Sequence, residues 1–209
     1  MSIVTRKPPI KETVGAQYIC FNTETDDGTW SGTYGEEVEK TEVVKSVKIT
    51  ENSEVADVYA SGKVYDSDTT TSKTDIEVQV IAFPADTLAR MRGEVVDEGG
   101  LHLSGGQGTR PYFAYGKVVK MKSGKVRYEW YPKCKLAENS DEIATREEKF
   151  SEQTDTITIS AYSFNDNGDI RAYVDSGASN FPAGLTEEYF FAKPILTVDD
   201  LAAAISAAE

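Results

Sequence analysis

The sequence predicts a mainly β fold: a β-sandwich or barrel with one flanking α-helix, long loops and a helical C-terminal end. Three observations support this prediction. Apolar and polar residues alternate along several segments, turn-forming residues separate those segments, and helical patterns are few. With 209 residues, 39% of them hydrophobic, the chain is long enough to bury one sizeable core or two small ones.

Period-two alternation predicts strands with one buried face and one polar face. It occurs in VKSVKIT, VRYEWY and TDTITISAYS, and most clearly in KTDIEVQVIAF. The last segment places the following residues on opposite sides: Ile76, Val78, Val80 and Ala82 against Asp75, Glu77 and Gln79.

Turn chemistry separates these predicted strands. Asp26-Asp27-Gly28 and Asn165-Asp166-Asn167-Gly168 contain residues that tolerate a positive φ. Ser-Gly-Lys-Val occurs at 61–64 and again at 123–126, each time before a strand-like run. Two such short matches predict recurrent hairpin turns and not an internal repeat.

Two segments have helical signals. The first runs from Pro84 to Gly93, with proline near its start and glycine at its end. The second follows Thr197, a candidate N-cap with acidic residues in the first turn, and has Leu201 and Ile205 on one face.

These elements predict an N-terminal arm over residues 1–17, a β-domain over 18–175 and a C-terminal extension with a short helix over 176–209. Three long polar segments, Asn22–Glu42, Asp97–Arg110 and Glu138–Glu152, lie between predicted elements. Because loops longer than about 12–15 residues are usually functional or disordered, we interpret these segments as contact surfaces.

Composition limits the function classes. The net charge of −13 argues against a basic groove that grips nucleic acid. It fits either a soluble, self-repelling surface or a surface that lies close to nucleic acid without adhering.

Cys20 and Cys134 are predicted to be buried, reduced thiols, because the N-terminal residues lack the apolar stretch of a secretory signal. No run approaches the roughly 18 apolar residues of a membrane-spanning helix, so no membrane partner is expected.

Signals for catalysis are weak, and no catalytic residue, metal or cofactor is predicted. His102 lacks a recognisable triad or close metal-ligand spacing. Gly105–Gly108 leads towards a strand and lacks the sequence of a phosphate-binding loop. An exposed aromatic platform for sugar stacking is one open alternative, with these candidates: Tyr112, Phe113, Tyr115, Tyr128, Trp130 and Tyr131.

The order of segments between Val43 and Asp175 resembles the major tail proteins, or tail tube proteins, of long non-contractile-tailed bacteriophages. The matching elements are, in order, VKSVKITEN, VYASGKVYDSD, DIEVQVIAFP, ADTLARMRG, YFAYG, RYEWYPKCKLAE, REEKFSEQTDTITISA and a closing turn with NGD. The termini match poorly.

This resemblance implies a tail-tube-type β-sandwich whose copies form hexameric rings that stack into a tube. The tube would conduct phage DNA without binding it specifically, and the subunit would carry no catalytic residues. Other implied partners are the tape measure and tail terminator proteins. The implied location is the virion tail, with assembly in the host cytoplasm.

Residue-level expectations follow from the polar segments and the acidic strand face. We expect Trp30 and Tyr34 in the Asn22–Glu42 loop to contact another subunit. We expect the same of Glu138–Glu152, the connector between two predicted strands. The connector's candidates are Asp141, Glu142, Arg146, Glu147, Glu148 and Lys149. Asp75 and Glu77 are candidates for lumen-facing acids, because like charge would let DNA slide past.

Three other functions compete with a tail tube subunit. One is a tail terminator or a tube-like protein of a contractile injection system, and another is a carbohydrate-binding β-sandwich. The third is a hydrolase using paired acids, for which adjacency in sequence is no evidence.

Overall fold

The structure is a computed structural model that describes residues 8–23, 25, 28–35, 37–97, 99–105, 109–141, 143, 145 and 154–207. Within these residues the chain forms ten strands and three helices. The strands are β1 (Lys11–Phe21), β2 (Glu39–Thr41), β3 (Val44–Ala60), β4 (Lys63–Val80), β5 (Val95–Val96), β6 (His102–Leu103), β7 (Phe113–Met121), β8 (Val126–Asp141), β9 (Asp155–Tyr162) and β10 (Ala172–Asp175). The helices are α1 (Ala85–Arg92), α2 (Glu187–Phe190) and α3 (Val198–Ser206).

Eight of the described strands form one antiparallel sheet in the order β2-β1-β7-β8-β9-β4-β3. The eighth strand, β10, pairs with the first part of β8, while β9 pairs with the second part. Strands β5 and β6 form a separate hairpin. Because β1 and β3 approach each other without being neighbours in the sheet, the sheet curls on itself. The predicted mainly β fold is confirmed.

The first core fills the inside of this curl. Its members are the predicted inward-facing residues of β4 and β9, joined by residues of β1, β7, β8 and α1. The fully buried ones include Ile76, Val78, Val80, Met91, Phe113, Tyr115, Ile157, Ile159 and Ala161. Ala82 does not belong to this set, because β4 ends at Val80.

The second core lies on the opposite face of β1, β7 and β8. Residues of the C-terminal segment from Leu185 to Ile205 cover Tyr18, Tyr128 and Trp130 there. The indole N–H of Trp130 donates to the Phe190 carbonyl at 3.2 Å. The VRYEWY strand is therefore buried on both faces, whereas its alternation predicted one polar face.

The predicted turns and helices are confirmed where the structure describes them. Ser61 and Gly62 have positive φ values of 53° and 74° in the β3–β4 turn, and Gly124 has 77° in the β7–β8 turn. Gly93 ends α1 in a left-handed conformation. Thr197 caps α3 in a capping box with Asp200.

Three polar or terminal segments are more ordered than their sequences predicted. The first part of the connector, Glu138–Asp141, continues β8 and pairs with β9. The Asn22–Glu42 segment contains β2 and an antiparallel bridge from Asn22 to Tyr34. The boundary expected between residues 17 and 18 falls inside β1. In each place the backbone forms hydrogen bonds with a neighbouring strand, and these stabilise the segment although its side chains are polar. Periodicity of the side chains alone does not detect such backbone pairing.

Candidate functional site

One polar face of the sheet runs across β3, β4, β9 and the second part of β8. The strand register aligns Thr50, Asp75, Ser160 and Lys135 in one row, and Lys48, Glu77, Thr158 and Glu138 in the next. The alternate residues of these strands lie in the first core. The polar residues therefore point away from the core, as the alternation predicted for Asp75 and Glu77.

Asp75 is held firmly in this polar face. Its carboxylate accepts hydrogen bonds from Ser160 Oγ and Asn52 Nδ2, both at 2.7 Å, and from Lys73 Nζ at 3.1 Å. Desolvation alone would raise its pKa, but these hydrogen bonds together with the Lys73 charge lower the pKa below its ordinary value. Asp75 therefore stays ionised, with part of its charge offset by Lys73. Glu77 is exposed and carries the more accessible acidic charge.

The β3–β4 hairpin continues beyond β9 as a two-stranded ribbon. Strand β9 pairs with β4 only from Thr74 onwards. Among the described strands, residues 52–60 of β3 and 63–73 of β4 therefore pair only with each other. At about 3.3 Å per residue, the eleven residues from Lys63 to Lys73 extend roughly 35 Å. The tip exposes Tyr59 (69%) and Tyr65 (81%). Large exposed side chains on an isolated ribbon are typical of an interaction element.

A groove of about 1100 Å³ opens beside β10. Apolar residues, Ile10, Phe181 and Leu201 among them, form part of its wall, and Lys122, Lys125 and Arg127 supply positive charge. Arg127 donates to the carboxylate of Asp175 at 2.9 Å. Because Asp175 also lines the groove and offsets the charge of Arg127, the groove combines apolar side chains with the positive charges of Lys122 and Lys125.

The two aromatic candidates of the Asn22–Glu42 loop differ in exposure. Tyr34 is buried, and its hydroxyl donates to the Pro132 carbonyl at 2.7 Å. Trp30 is half-buried beside β8, with Lys133 Nζ at 5.0 Å from the centre of its ring. Trp30 therefore retains surface for a contact with another subunit, whereas Tyr34 mainly anchors the loop.

Of the connector candidates, Asp141 is exposed at the end of β8 and pairs with Asp155 of β9. The other five lie outside the described residues: Glu142, Arg146, Glu147, Glu148 and Lys149.

The histidine, the two cysteines and the acidic groups are the described side chains that a metal site or a nucleophile would involve. No group of three or more His, Cys, Asp or Glu side chains among them could hold a metal ion. His102 Nδ1 lies 3.6 Å from Glu94 Oε2 on the small β5–β6 hairpin. Both cysteines are free and buried, and burial raises the pKa of Cys20 to about 11. None of the described helices combines the length and apolar character needed to span a membrane.

The sequence matches the family described as "Phage tail tube protein" over residues 24–188. The chain belongs to the phage tail tube protein family. It is therefore a structural protein of the virion tail, and membership implies assembly into a tube with other tail components. No curated protein matches the chain.

The six aromatic candidates of this tail tube protein do not form the exposed platform that a carbohydrate-binding module needs. Of the six candidates, Phe113, Tyr115, Tyr128, Trp130 and Tyr131 are buried in the two cores. The remaining one, Tyr112, packs under Lys135, whose Nζ lies 4.0 Å from the ring centre. These residues therefore stabilise the subunit.

A buried ion pair in the tail tube protein was not anticipated from its sequence. Lys117 of β7 and Glu129 of β8 pair across adjacent strands, and both side chains are almost completely buried. Burial lowers the pKa of Lys117 despite the opposing effect of Glu129. The sequence signal for this pair was a charged residue, Lys117, inside the apolar run YFAYGKVV. Alternation alone predicts that such charged residues are exposed to solvent.

Proposed function

We propose that six copies of this tail tube protein form a ring, that rings stack into the tail tube, and that the tube conducts DNA during ejection. The polar face across β3, β4, β9 and β8 is the observation that carries the proposal. It is a continuous polar strand surface on which Lys48, Glu77 and Glu138 are exposed, while the opposite side of the same strands is core. In this proposal the face lines the lumen.

The charge pattern of this face supports a conduit that does not hold DNA. Glu77 and Glu138 are exposed acids, and Asp75 stays ionised. Lys48 and Lys135 alternate with them across the strands. Phosphate binding depends on clustered basic residues that release counterions. A mixed face with ionised carboxylates has no such cluster, so DNA can move past it.

The subunit acts in this proposal without catalysis and without a cofactor. Its other partners are the tape measure and tail terminator proteins, and assembly takes place in the host cytoplasm. The contact role of the Asn22–Glu42 loop and of the connector Glu138–Glu152 is part of the same proposal. Its described candidates with accessible surface are Trp30, which is half-buried, and Asp141, which is exposed.

Cryo-electron microscopy of the assembled protein tests the ring and the lumen together. We expect stacked six-fold rings with Glu77 facing the central channel. A six-fold tube with the polar face directed outwards would overturn the lumen assignment, and a protein that stays monomeric at high concentration would overturn the assembly proposal.

A charge variant tests the conduit independently. We expect Glu77→Lys tubes to retain labelled double-stranded DNA at low salt, whereas wild-type tubes do not, because each ring would then carry a band of added positive charge. Asp199→Lys on α3 is the matched control, since Asp199 is exposed and lies on another surface. Equal retention by the two variants would contradict a lumenal Glu77.

Hydrogen exchange tests the two loop contacts. Amides of 28–35 and of the connector should exchange more slowly in tubes than in the monomer. Equal, rapid exchange of both segments in the two states would remove them from the interface.

A further inference from the structure

The small β5–β6 hairpin directs its apolar side chains to solvent. Val95 pairs with Leu103, and the Asp97 amide next along β5 donates to the Leu101 carbonyl at 3.1 Å. Side chains two residues apart share a face, so Val95, Leu101 and Leu103 lie on one face together with Asp97. The three apolar side chains are 64%, 57% and 58% exposed.

Ion pairs hold the opposite face of the hairpin. Glu94 and His102 precede Val95 and Leu103 and therefore point the other way. His102 Nδ1 lies 3.6 Å from Glu94 Oε2, and Arg92 Nη1 at the end of α1 lies 3.1 Å from Glu94 Oε1. An isolated two-stranded hairpin is marginally stable until its apolar face packs on another element. The exposed apolar face is therefore a surface for a partner.

The hairpin lies beside the second part of β8. Its first strand follows Gly93, where a Cβ atom would lie 2.9 Å from the Thr109 carbonyl oxygen. The next residue, Arg110, donates from Nη1 to the Leu136 and Ala137 carbonyls, both at 2.7 Å. These contacts fix the root of the hairpin near Leu136.

The groove beside β10 lies at the other end of β8. Arg127, near the start of this strand, lines it. The positions from Arg127 to Leu136 span roughly 30 Å at about 3.3 Å per residue. The groove combines an apolar wall with two exposed lysines, through Ile10, Phe181, Leu201, Lys122 and Lys125.

We propose that the β5–β6 hairpin of one copy docks, with its apolar face inwards, in the β10 groove of a second copy. The groove volume of about 1100 Å³ accepts the three apolar side chains, and Asp97 then faces Lys122 and Lys125. A chain cannot fill its own groove in this way, because the two surfaces lie at opposite ends of β8. The inference rests on the proposed self-assembly and names surfaces that carry it.

The positions of the two surfaces assign this contact to the stacking of rings. A contact between two different surfaces is heterologous, and one that joins opposite ends of a subunit repeats in one direction and builds an open filament. Each ring then presents hairpins at one end and grooves at the other, which gives the tube a direction. Cohesion within a ring falls to other surfaces.

Disulfide trapping tests the assignment. The variant Leu103→Cys/Asn180→Cys places one thiol on the hairpin and one in the groove, at two exposed positions. Oxidation of the assembled protein should give a ladder of covalent oligomers on denaturing gels that continues beyond the size of one ring. The two native cysteines are buried, so the oxidised wild type should show no ladder.

Each other gel pattern overturns part of the inference. A ladder that stops at the ring size places the contact within a ring. A fast-migrating monomer shows that the hairpin reaches the groove of its own chain. Absence of any cross-link in tubes that form normally removes the contact altogether while leaving the proposed function intact. Absence of wild-type tubes and rings, in contrast, counts against the proposed function itself.

Removal of the apolar face provides an independent readout. We expect Leu101→Ser/Leu103→Ser to raise the concentration required for tube formation at least about tenfold, because burying one leucine side chain already contributes about that factor. Val198→Ser is the matched control, since Val198 is 82% exposed on α3 and does not line the groove.

The thermal unfolding of the double serine variant should match that of the wild-type monomer, because both leucines are exposed. A less stable monomer would show that the face is covered within its own subunit, and normal tube formation would show that it is not a contact. Either result overturns the inference.

The charges are tested by a double-mutant cycle. Asp97→Asn keeps an oxygen that can accept the Gly99 and Leu101 amides, as Asp97 Oδ1 does, and removes the charge. We expect this variant, and Lys122→Gln/Lys125→Gln, each to raise the concentration required for tubes about two- to fivefold at low salt. The combined variant should lose little more than either one. Fully additive losses would refute the pairing of hairpin and groove.

Discussion

Gly116 lies where the C-terminal segment packs most closely on the sheet. It pairs with Tyr18 of β1 and Trp130 of β8 on the face of the second core. A Cβ atom at this position would lie 2.8 Å from Phe191 Cε1 and 2.9 Å from Trp130 Cε3. Phe191 is also stacked on Tyr18, with ring centres 3.9 Å apart. Little free space remains for either ring to move.

We therefore expect Gly116→Ala to destabilise the protein. Overpacking a tight core costs about 1–3 kcal/mol, whereas removing glycine from the unfolded chain contributes about 0.4–1 kcal/mol in the opposite direction. The net expectation is a loss of about 1–2 kcal/mol in the free energy of unfolding. Urea unfolding followed by tryptophan fluorescence measures it, since Trp130 is fully buried in this core.

Gly35→Ala is the matched control, because its Cβ would meet only the Phe21 carbonyl oxygen, at 3.8 Å. It should leave the stability unchanged or slightly higher. Phe191→Leu should reduce the cost of Gly116→Ala, since the two changes share one contact. A Gly116→Ala protein as stable as the wild type would refute the packing argument.

Three further predictions concern buried or partnered groups. Lys117→Met should lower the free energy of unfolding by at most about 3–5 kcal/mol, because Glu129 loses its nearest partner and keeps only Arg127, whose Nη1 lies 3.8 Å from Glu129 Oε1. Adding Glu129→Leu should recover most of this loss in urea unfolding. Glu187→Gln should destabilise the protein at neutral pH but not in acid. Desolvation would raise the pKa of Glu187, but the hydrogen bonds of its carboxylate lower the pKa overall. The stabilisation by the ionised carboxylate is therefore present above the ordinary pKa of glutamate and is lost as the pH falls through the lowered pKa. Cys20 and Cys134 should resist a thiol reagent in the folded protein and react in urea, because burial raises both pKa values.

Each of these three predictions has an outcome that contradicts it. Full stability of Lys117→Met alone would mean that the buried charge is not paired as described. A constant difference between Glu187→Gln and the wild type from about pH 7 to about pH 3 would exclude the carboxylate as its cause. Rapid labelling of either thiol in the native state would show that its site opens readily.

Periodicity predicted the first core well, and the physical reason is visible in β4 and β9. Both strands have one face in the curl and one polar face, which is exposed at Glu77 and half-buried at Thr158. Residues such as Ile76 and Glu77 therefore alternate as the pattern requires. The caps also followed from local chemistry. Gly93 and Thr197 act through their own backbone and near neighbours, which are readable in sequence.

The second core could not be predicted in this way. It depends on Phe190 and Phe191, which lie some sixty residues after the strand that they cover. Alternation in VRYEWY assigned Glu129 to solvent, but packing from both sides buries it against Lys117. The candidate contact residues show the same limit, because exposure distinguishes Trp30 from Tyr34 only when the loop is folded.

The clasp that Phe190, Phe191 and Ile195 form over the sheet also affects the order of events in the cell. A nascent chain that has exposed all ten strands still leaves Trp130 uncovered until this clasp has emerged from the ribosome. The strands are thus synthesised before the residues that cover Trp130, so during that interval the nascent chain exposes an apolar surface that the folded subunit buries.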